Sequence, residues 1–148
     1  MRRLLIGVAL IGAACVGLGL WLTRAQTLPD DALAGLSGDA TRGESVFWAG
    51  GCSSCHAGAK TEGPARLVLA GGQAFPSDFG TFHAPNISMD PAEGIGGWTQ
   101  GQFANAVQRG VSPDGAHYYP VFPYTAYRLA DGQDIVDLWA FWQTLPAS

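Results

Sequence analysis

The stretch Cys52-Ser53-Ser54-Cys55-His56 decides how this chain folds. Two cysteines three residues apart lie on one face of a helical turn, where both thiols can add to the two vinyl groups of one porphyrin. The histidine after the second cysteine is then placed to be the proximal ligand of the iron. This spacing is the attachment motif of a c-type haem. The sequence therefore predicts one covalent haem c, held by Cys52 and Cys55 and ligated by His56.

Two other uses of a cysteine pair fit this motif less well. A tetrahedral zinc site usually needs four ligands, commonly with a second Cys or His pair downstream. The rest of the chain offers Cys15, inside an apolar run, and the isolated His83 and His117. A disulfide would account for the two motif cysteines but leave His56 unexplained. Haem attachment is the favoured interpretation.

The N-terminal segment, residues 1–24, is predicted to lie outside the folded domain. Arg2 and Arg3 precede Leu4–Leu22, a run of nineteen residues without a charge. A helix of that length spans about 28 Å, close to the thickness of a bilayer core. Thr23-Arg24-Ala25 is a poor cleavage site, so an uncleaved membrane anchor is favoured over a signal peptide. The positive-inside rule then predicts a single-pass protein of the bacterial inner membrane, with its domain in the periplasm.

The charge of the chain bears on its partners. Beyond residue 24, twelve acidic residues against five basic ones give a formal charge of −7. This charge argues against nucleic acid or anionic lipid as a partner. An acidic electron carrier could dock on a basic patch of a redox partner protein, although solubility alone explains the charge equally well.

Residues 25–38 contain Pro29, Gly35 and Gly38 and few large apolar side chains, so they are predicted to form a linker. The remaining residues, 39–148, are predicted to form one small helical domain around the haem. Three main helices are expected from capping motifs and glycine stops. They run from Thr41 to Gly50-Gly51, from Thr99 to Gly110, and from an Asp131 cap to about Leu145. No convincing strand is predicted between them.

Further motifs extend over most of this domain. They are Phe47-Trp48-Ala49-Gly50-Gly51-Cys52, Pro85-Asn86-Ile87-Ser88, Gly94-Ile95-Gly96-Gly97-Trp98, Val111-Ser112-Pro113-Asp114-Gly115 and His117-Tyr118-Tyr119-Pro120-Val121-Phe122-Pro123-Tyr124. Together with the CxxCH motif they resemble the haem domains of the cytochrome c subunits that serve membrane-bound alcohol and gluconate dehydrogenases. The resemblance implies an all-α, class I cytochrome c fold, with long loops wrapping one haem.

The same resemblance implies a function. It predicts a one-electron carrier, without bond chemistry on a substrate, at the outer face of the inner membrane. Its redox partners would be a dehydrogenase subunit, a quinol-oxidising complex or a terminal oxidase.

The resemblance also implies roles for single residues. The carbonyl of Pro64 is expected to accept a hydrogen bond from the second nitrogen of His56. Trp98 and Tyr119 are expected to donate hydrogen bonds to the haem propionates, although packing explains all three residues equally well. Gly43 is expected to let the first helix cross closely over the Trp139/Trp142 face of the last one.

The second axial ligand is the point where the chain departs from this pattern. The resemblance places a methionine at Phe122 or near Leu129, and neither position is methionine here. Three alternatives remain: ligation by Met89, ligation by His83 or His117, or an open or water-bound position. An open iron would make a haem enzyme, or a sensor of gases or peroxide, the alternative function.

Overall fold

The computed structural model describes residues 1–148. One long N-terminal helix precedes a mostly helical domain that also contains one short hairpin. The helices are α1 (Arg2–Leu22), α2 (Ala40–Gly50), α3 (Cys52–His56), α4 (Gln100–Arg109), α5 (Tyr124–Tyr127) and α6 (Gly132–Trp142). A 3-10 turn covers Gly63–Leu67, and the strands are β1 (Ala74–Ser77) and β2 (Gly80–His83).

Helix α1 has no buried residue, and it is long and apolar enough to cross a membrane. A signal sequence can have the same length and composition. The predicted linker after it is not a free tether. Leu28 and Leu33 pack against the apolar core of the domain. The backbone N–H of Leu28 also donates a hydrogen bond of 2.7 Å to Asn105 Oδ1. These leucines bury apolar surface, which holds the segment on the domain.

The crossing of α2 and α6 forms the centre of the domain. A Cβ atom on Gly43 would overlap the backbone carbonyl oxygen of Asp137 and lie 2.9 Å from Phe141 Cβ. Phe47 of α2 is fully buried, with its ring 5.3 Å from that of Phe141 and 5.5 Å from that of Trp142. Gly43 therefore permits the close crossing, as predicted, although its own contacts are Asp137 and Phe141.

A buried carboxylate joins the same two helices by hydrogen bonds. Asp137 Oδ1 accepts from the N–H of Asp39 at 2.7 Å and from Arg42 Nη2 at 2.8 Å. Its Oδ2 accepts from Arg42 Nε at 2.6 Å. The side-chain hydrogen bond from Arg42 is the main reason why the pKa of Asp137 lies below its ordinary value.

Helix α4 has the ends that its sequence predicts. Thr99 Oγ1 accepts from the N–H of Gln102, and the Gln102 side chain accepts in return from the N–H of Thr99. Gly110 then ends the helix in the left-handed conformation, with φ of 63°. The predicted capping box and glycine stop are both confirmed.

The other two main helices differ from the predicted bounds. Asp39, rather than Thr41, caps α2 by accepting from the N–H of Arg42 at 3.0 Å, so the helix begins one residue before Thr41. Asp131 stands at the cap position of α6 without a side-chain cap bond, and the helix ends three residues before Leu145.

The hairpin corrects the prediction that the loops contain no strand. Strands β1 and β2 pair in antiparallel register, with Phe75 opposite Phe82. Each strand has four residues, too few to display an alternating pattern in the sequence. The hairpin places the ring of Phe82 against that of Tyr119, with centroids 4.9 Å apart.

Candidate haem-attachment site

The two cysteines of the motif lie on the short helix α3. Gly51 adopts the left-handed conformation, with φ of 67°, which lets the chain leave α2 and enter α3 directly. Cys52 is half-buried and Cys55 is exposed, and neither forms a disulfide. Burial raises the pKa of the Cys52 thiol to about 11, so this group stays protonated at neutral pH. Both thiols are free for thioether bonds to one porphyrin.

The imidazole of His56 is held by a backbone carbonyl. Its Nδ1 lies 3.0 Å from the carbonyl oxygen of Pro85. A carbonyl only accepts, so Nδ1 carries the proton and Nε2 keeps a free lone pair. Burial lowers the pKa of His56, which favours the neutral form that binds iron. This is the arrangement of a histidine prepared for metal ligation.

The prediction that Pro64 accepts this hydrogen bond is wrong, because the chain folds back further along its length. The N–H of Gly71 donates to the carbonyl of His56 at 2.8 Å, and that of Gly72 donates to the carbonyl of Ala84 at 2.8 Å. These two bonds bring Pro85 against the imidazole. Pro64 instead occupies the start of the 3-10 turn.

Arg66, which has no predicted role, supports α3 (Cys52–His56), here called the attachment turn. Its Nη2 donates a hydrogen bond of 2.9 Å to Ser53 Oγ, between the two cysteines. Its guanidinium also lies 5.0 Å from the ring centroid of Trp48 on α2. Arg66 thus links α3 to α2. No local sequence motif predicts this link.

Residues 118–129, here called the aromatic loop, border the attachment turn. The ring of Phe122 lies 6.0 Å from that of Tyr118 and 6.2 Å from those of Tyr124 and Tyr127. The hydroxyl of Tyr127 donates a hydrogen bond of 2.8 Å to the carbonyl of Gly50. Burial raises the pKa of Tyr127, and so does the charge that the nearby Cys52 and Cys55 carry once they are deprotonated. Tyr127 therefore holds this loop beside Gly50, two residues before Cys52.

Three other predicted residues pack against the apolar core or the hairpin. Trp98 is half-buried against the apolar core. Tyr119 is 57% exposed and stacks on Phe82. Their hydrogen bonds to haem propionates stay predictions. Met89 also packs against the apolar core, four residues after Pro85.

The remaining histidines lie on the hairpin and beside the end of α1. His83 is exposed at the end of β2, opposite Ala74. His117 Nε2 lies 2.9 Å from the carbonyl oxygen of Thr23, at the end of α1. No three His, Cys, Asp or Glu side chains of the chain converge as a metal-binding group.

These features fit a haem c. The thiols and the prepared imidazole lie on one turn, as covalent attachment and proximal ligation require. Apolar side chains in the aromatic loop are solvent-exposed, among them Val121 at 52% and Leu129 at 90%. Exposed apolar surface of this kind is what a porphyrin would cover.

Comparison with known proteins agrees with this site. The profile of the family described as Cytochrome c matches residues 40–146. A Cereibacter sphaeroides protein named diheme cytochrome c-type is 53% identical over 150 residues, covering 99% of this chain and 49% of the relative. One of the nicotinate dehydrogenase subunits of Pseudomonas putida is 41% identical over 102 residues, covering 68% of this chain and 8% of the relative.

The fructose dehydrogenase cytochrome subunit of Gluconobacter japonicus is 36% identical over 104 residues, covering 70% of this chain and 21% of the relative. The chain thus spans about half the length of the first of these relatives and less of the others. The family match covers nearly the whole domain around the CxxCH turn. The chain therefore belongs to the Cytochrome c family.

Proposed function

We propose that this chain is a membrane-anchored, periplasmic electron-transfer protein with one haem c. It would pass electrons between a membrane dehydrogenase or quinol-oxidising complex and a terminal acceptor. The observation that carries the proposal is the attachment turn, with two free thiols and a histidine whose Nδ1 is engaged by Pro85. The similarity to dehydrogenase cytochrome subunits supports the choice of partners.

Each residue of the site has a part in this function. A bound haem supplies reversible one-electron chemistry at its iron. Cys52 and Cys55 hold the porphyrin, so that it stays with the protein in both oxidation states. Pro85 keeps the proton of His56 on Nδ1, which orients the ring and makes Nε2 a better donor to iron. Arg66 and Tyr127 hold the junction of α2 and α3 in place through their hydrogen bonds to Ser53 and Gly50.

Sequence features support the proposed number of haems and the proposed location. The chain contains one CxxCH motif, which supports one haem for these residues. Helix α1 supports membrane anchoring by its length and composition. The arginines at its start support an outward-facing domain. We also assign the domain to the class I cytochrome c fold, supported by the close crossing of α2 and α6 at Gly43.

Covalent attachment is tested by maturing the full chain in a bacterial host that attaches c-type haem. Haem should stay with the polypeptide through acid-acetone extraction and denaturing electrophoresis. The double variant Cys52→Ala/Cys55→Ala should lose this haem, whereas the control variant Cys15→Ala should keep it. Haem that resists extraction from the double variant would overturn the proposed attachment.

Electron transfer is tested on the matured chain by a redox titration followed through its absorption bands. A reversible curve with a one-electron slope is the expected result. A chain that cannot be re-reduced after oxidation would contradict the proposed role.

A further inference from the structure

We infer that neither a methionine nor a histidine of this protein occupies the distal coordination position of the iron, so that a small neutral molecule such as carbon monoxide or nitric oxide binds there. The inference rests on the proposed haem attachment and goes beyond electron transfer. When two protein side chains ligate the haem iron, no coordination position is left for an external molecule, whereas an open position can bind one.

The chain has few side chains of the kinds that usually complete the coordination of an electron-carrying haem, namely thioether and imidazole. The methionines are Met1 and Met89, and the histidines other than His56 are His83 and His117. Met1 is fully exposed and precedes α1, so the 21 residues of that helix separate it from the rest of the chain. Three side chains are therefore left to consider.

Met89 is held on the proximal side of the haem site and not on the distal side. Pro85 contacts Nδ1 of His56, and the two nitrogens of an imidazole point in divergent directions, so Pro85 lies on the side away from the iron. The segment after Pro85 is pinned there, because Trp142 Nε1 donates a hydrogen bond of 2.8 Å to the carbonyl of Ile87. Met89 follows two residues later and packs against the apolar core. Its thioether is thus engaged in the core on the proximal side.

The two histidines are directed elsewhere. Phe82 of β2 stacks on Tyr119 of the aromatic loop. Successive side chains of a strand point to opposite faces, so His83 points away from that loop. His117 lies against the end of α1, with its Nε2 2.9 Å from the carbonyl oxygen of Thr23. Neither imidazole is directed at the attachment turn.

The aromatic loop is the segment that faces the attachment turn. Its side chains there are mainly aromatic rings, which do not ligate the iron as methionine or histidine would. Tyr127 is hydrogen-bonded to Gly50, two residues before Cys52, which fixes the loop beside the porphyrin site. The cluster around Phe122 fills the loop with aromatic surface. Leu129, two residues after Tyr127, is 90% exposed. Apolar walls of this kind suit a neutral ligand better than a charged one.

The test uses the full chain, matured with haem and purified in detergent. The ferrous protein should show a high-spin absorption spectrum, and a carbon monoxide titration should convert it stoichiometrically into a sharp, low-spin form. Met89→Leu should leave both the spectrum and the carbon monoxide affinity unchanged, because this side chain is not a ligand.

A gain-of-ligand variant tests where the distal side lies. Leu129→Met places a thioether in the aromatic loop and should produce a low-spin spectrum. Its carbon monoxide affinity should fall by about tenfold or more, because the internal ligand has to leave first. Leu129→Ile, which has the same volume and no sulfur, is the matched control and should behave as the wild type. An unchanged affinity in Leu129→Met would overturn the assignment of the distal side to this loop.

The outcomes separate the inference from the proposed function. A wild-type chain without covalent haem would overturn the proposed function. Covalent haem with a low-spin ferrous spectrum that ignores carbon monoxide would overturn only the open position. In that case, a change to high spin in Met89→Leu, His83→Gln or His117→Gln would identify the residue that ligates the iron.

Discussion

Replacing Gly43 by alanine tests the crossing of α2 and α6 on which the domain depends. The new Cβ would overlap the carbonyl oxygen of Asp137 and lie 2.9 Å from Phe141 Cβ, closer than an ordinary carbon–carbon contact of about 3.5–4.0 Å. The obstacle includes helix backbone, which cannot rotate out of the way. The helices must therefore separate, and the hydrogen bonds between Arg42 and Asp137 across the crossing must lengthen.

Two effects of opposite sign decide the magnitude. Alanine is favoured over glycine inside a helix by about 1 kcal/mol. Overpacking costs about 1–3 kcal/mol as a rule, and we expect about 3–4 kcal/mol here because the obstacle includes rigid helix backbone. We therefore expect Gly43→Ala to lower the free energy of unfolding by about 2–3 kcal/mol. With ordinary denaturant sensitivity, the urea midpoint should fall by about 1–2 M.

The assay is a urea titration of the haem-loaded full chain, followed by tryptophan fluorescence, which a nearby haem quenches in the folded state. Gly101→Ala is the matched control, because Gly101 lies in helix α4 with Thr99 Oγ1 at 4.0 Å as the nearest neighbour. This control should gain up to about 1 kcal/mol from helix propensity alone. If Gly43→Ala were as stable as Gly101→Ala, the reasoning about the crossing would be refuted.

Three further predictions concern single side chains. Asp137→Asn should lower the free energy of unfolding by about 2–4 kcal/mol at neutral pH, because it removes the charge that faces Arg42; urea titration measures this. The pKa of Asp137 lies below its ordinary value of 3.8, so the stabilisation by this carboxylate should be complete above pH 3.8 and vanish as the pH falls through the folded-state pKa. The wild type and Asp137→Asn should therefore converge in stability in acid, and a constant difference between them would contradict this. Gly110→Ala should cost about 2–4 kcal/mol, because φ is 63° there and the new Cβ would lie 2.5 Å from the Tyr124 ring; a thermal melt equal to wild type would count against it.

The comparison of predicted and observed helix ends explains where sequence reasoning succeeds. The capping box of α4 and its glycine stop involve residues within one turn of each other, so the sequence contains the whole interaction. At α2, Asp39 and Thr41 are both acceptable caps by residue type. Asp39 is the cap in the structure, and its N–H is also bound by Asp137, 98 residues away. Capping rules based on neighbouring residues cannot predict that hydrogen bond.

By itself, the sequence determined the chemistry of the site, because the two thiols and the proximal imidazole of a haem c come from a single helical turn. It also determined the apolar N-terminal helix and the small residue at the helix crossing. Only the tertiary structure decided that Pro85 holds His56, across 29 residues, and that the segment after it draws Met89 toward the core. Loops join residues far apart in the chain, and which of them meet depends on how the core packs and which backbone groups need partners.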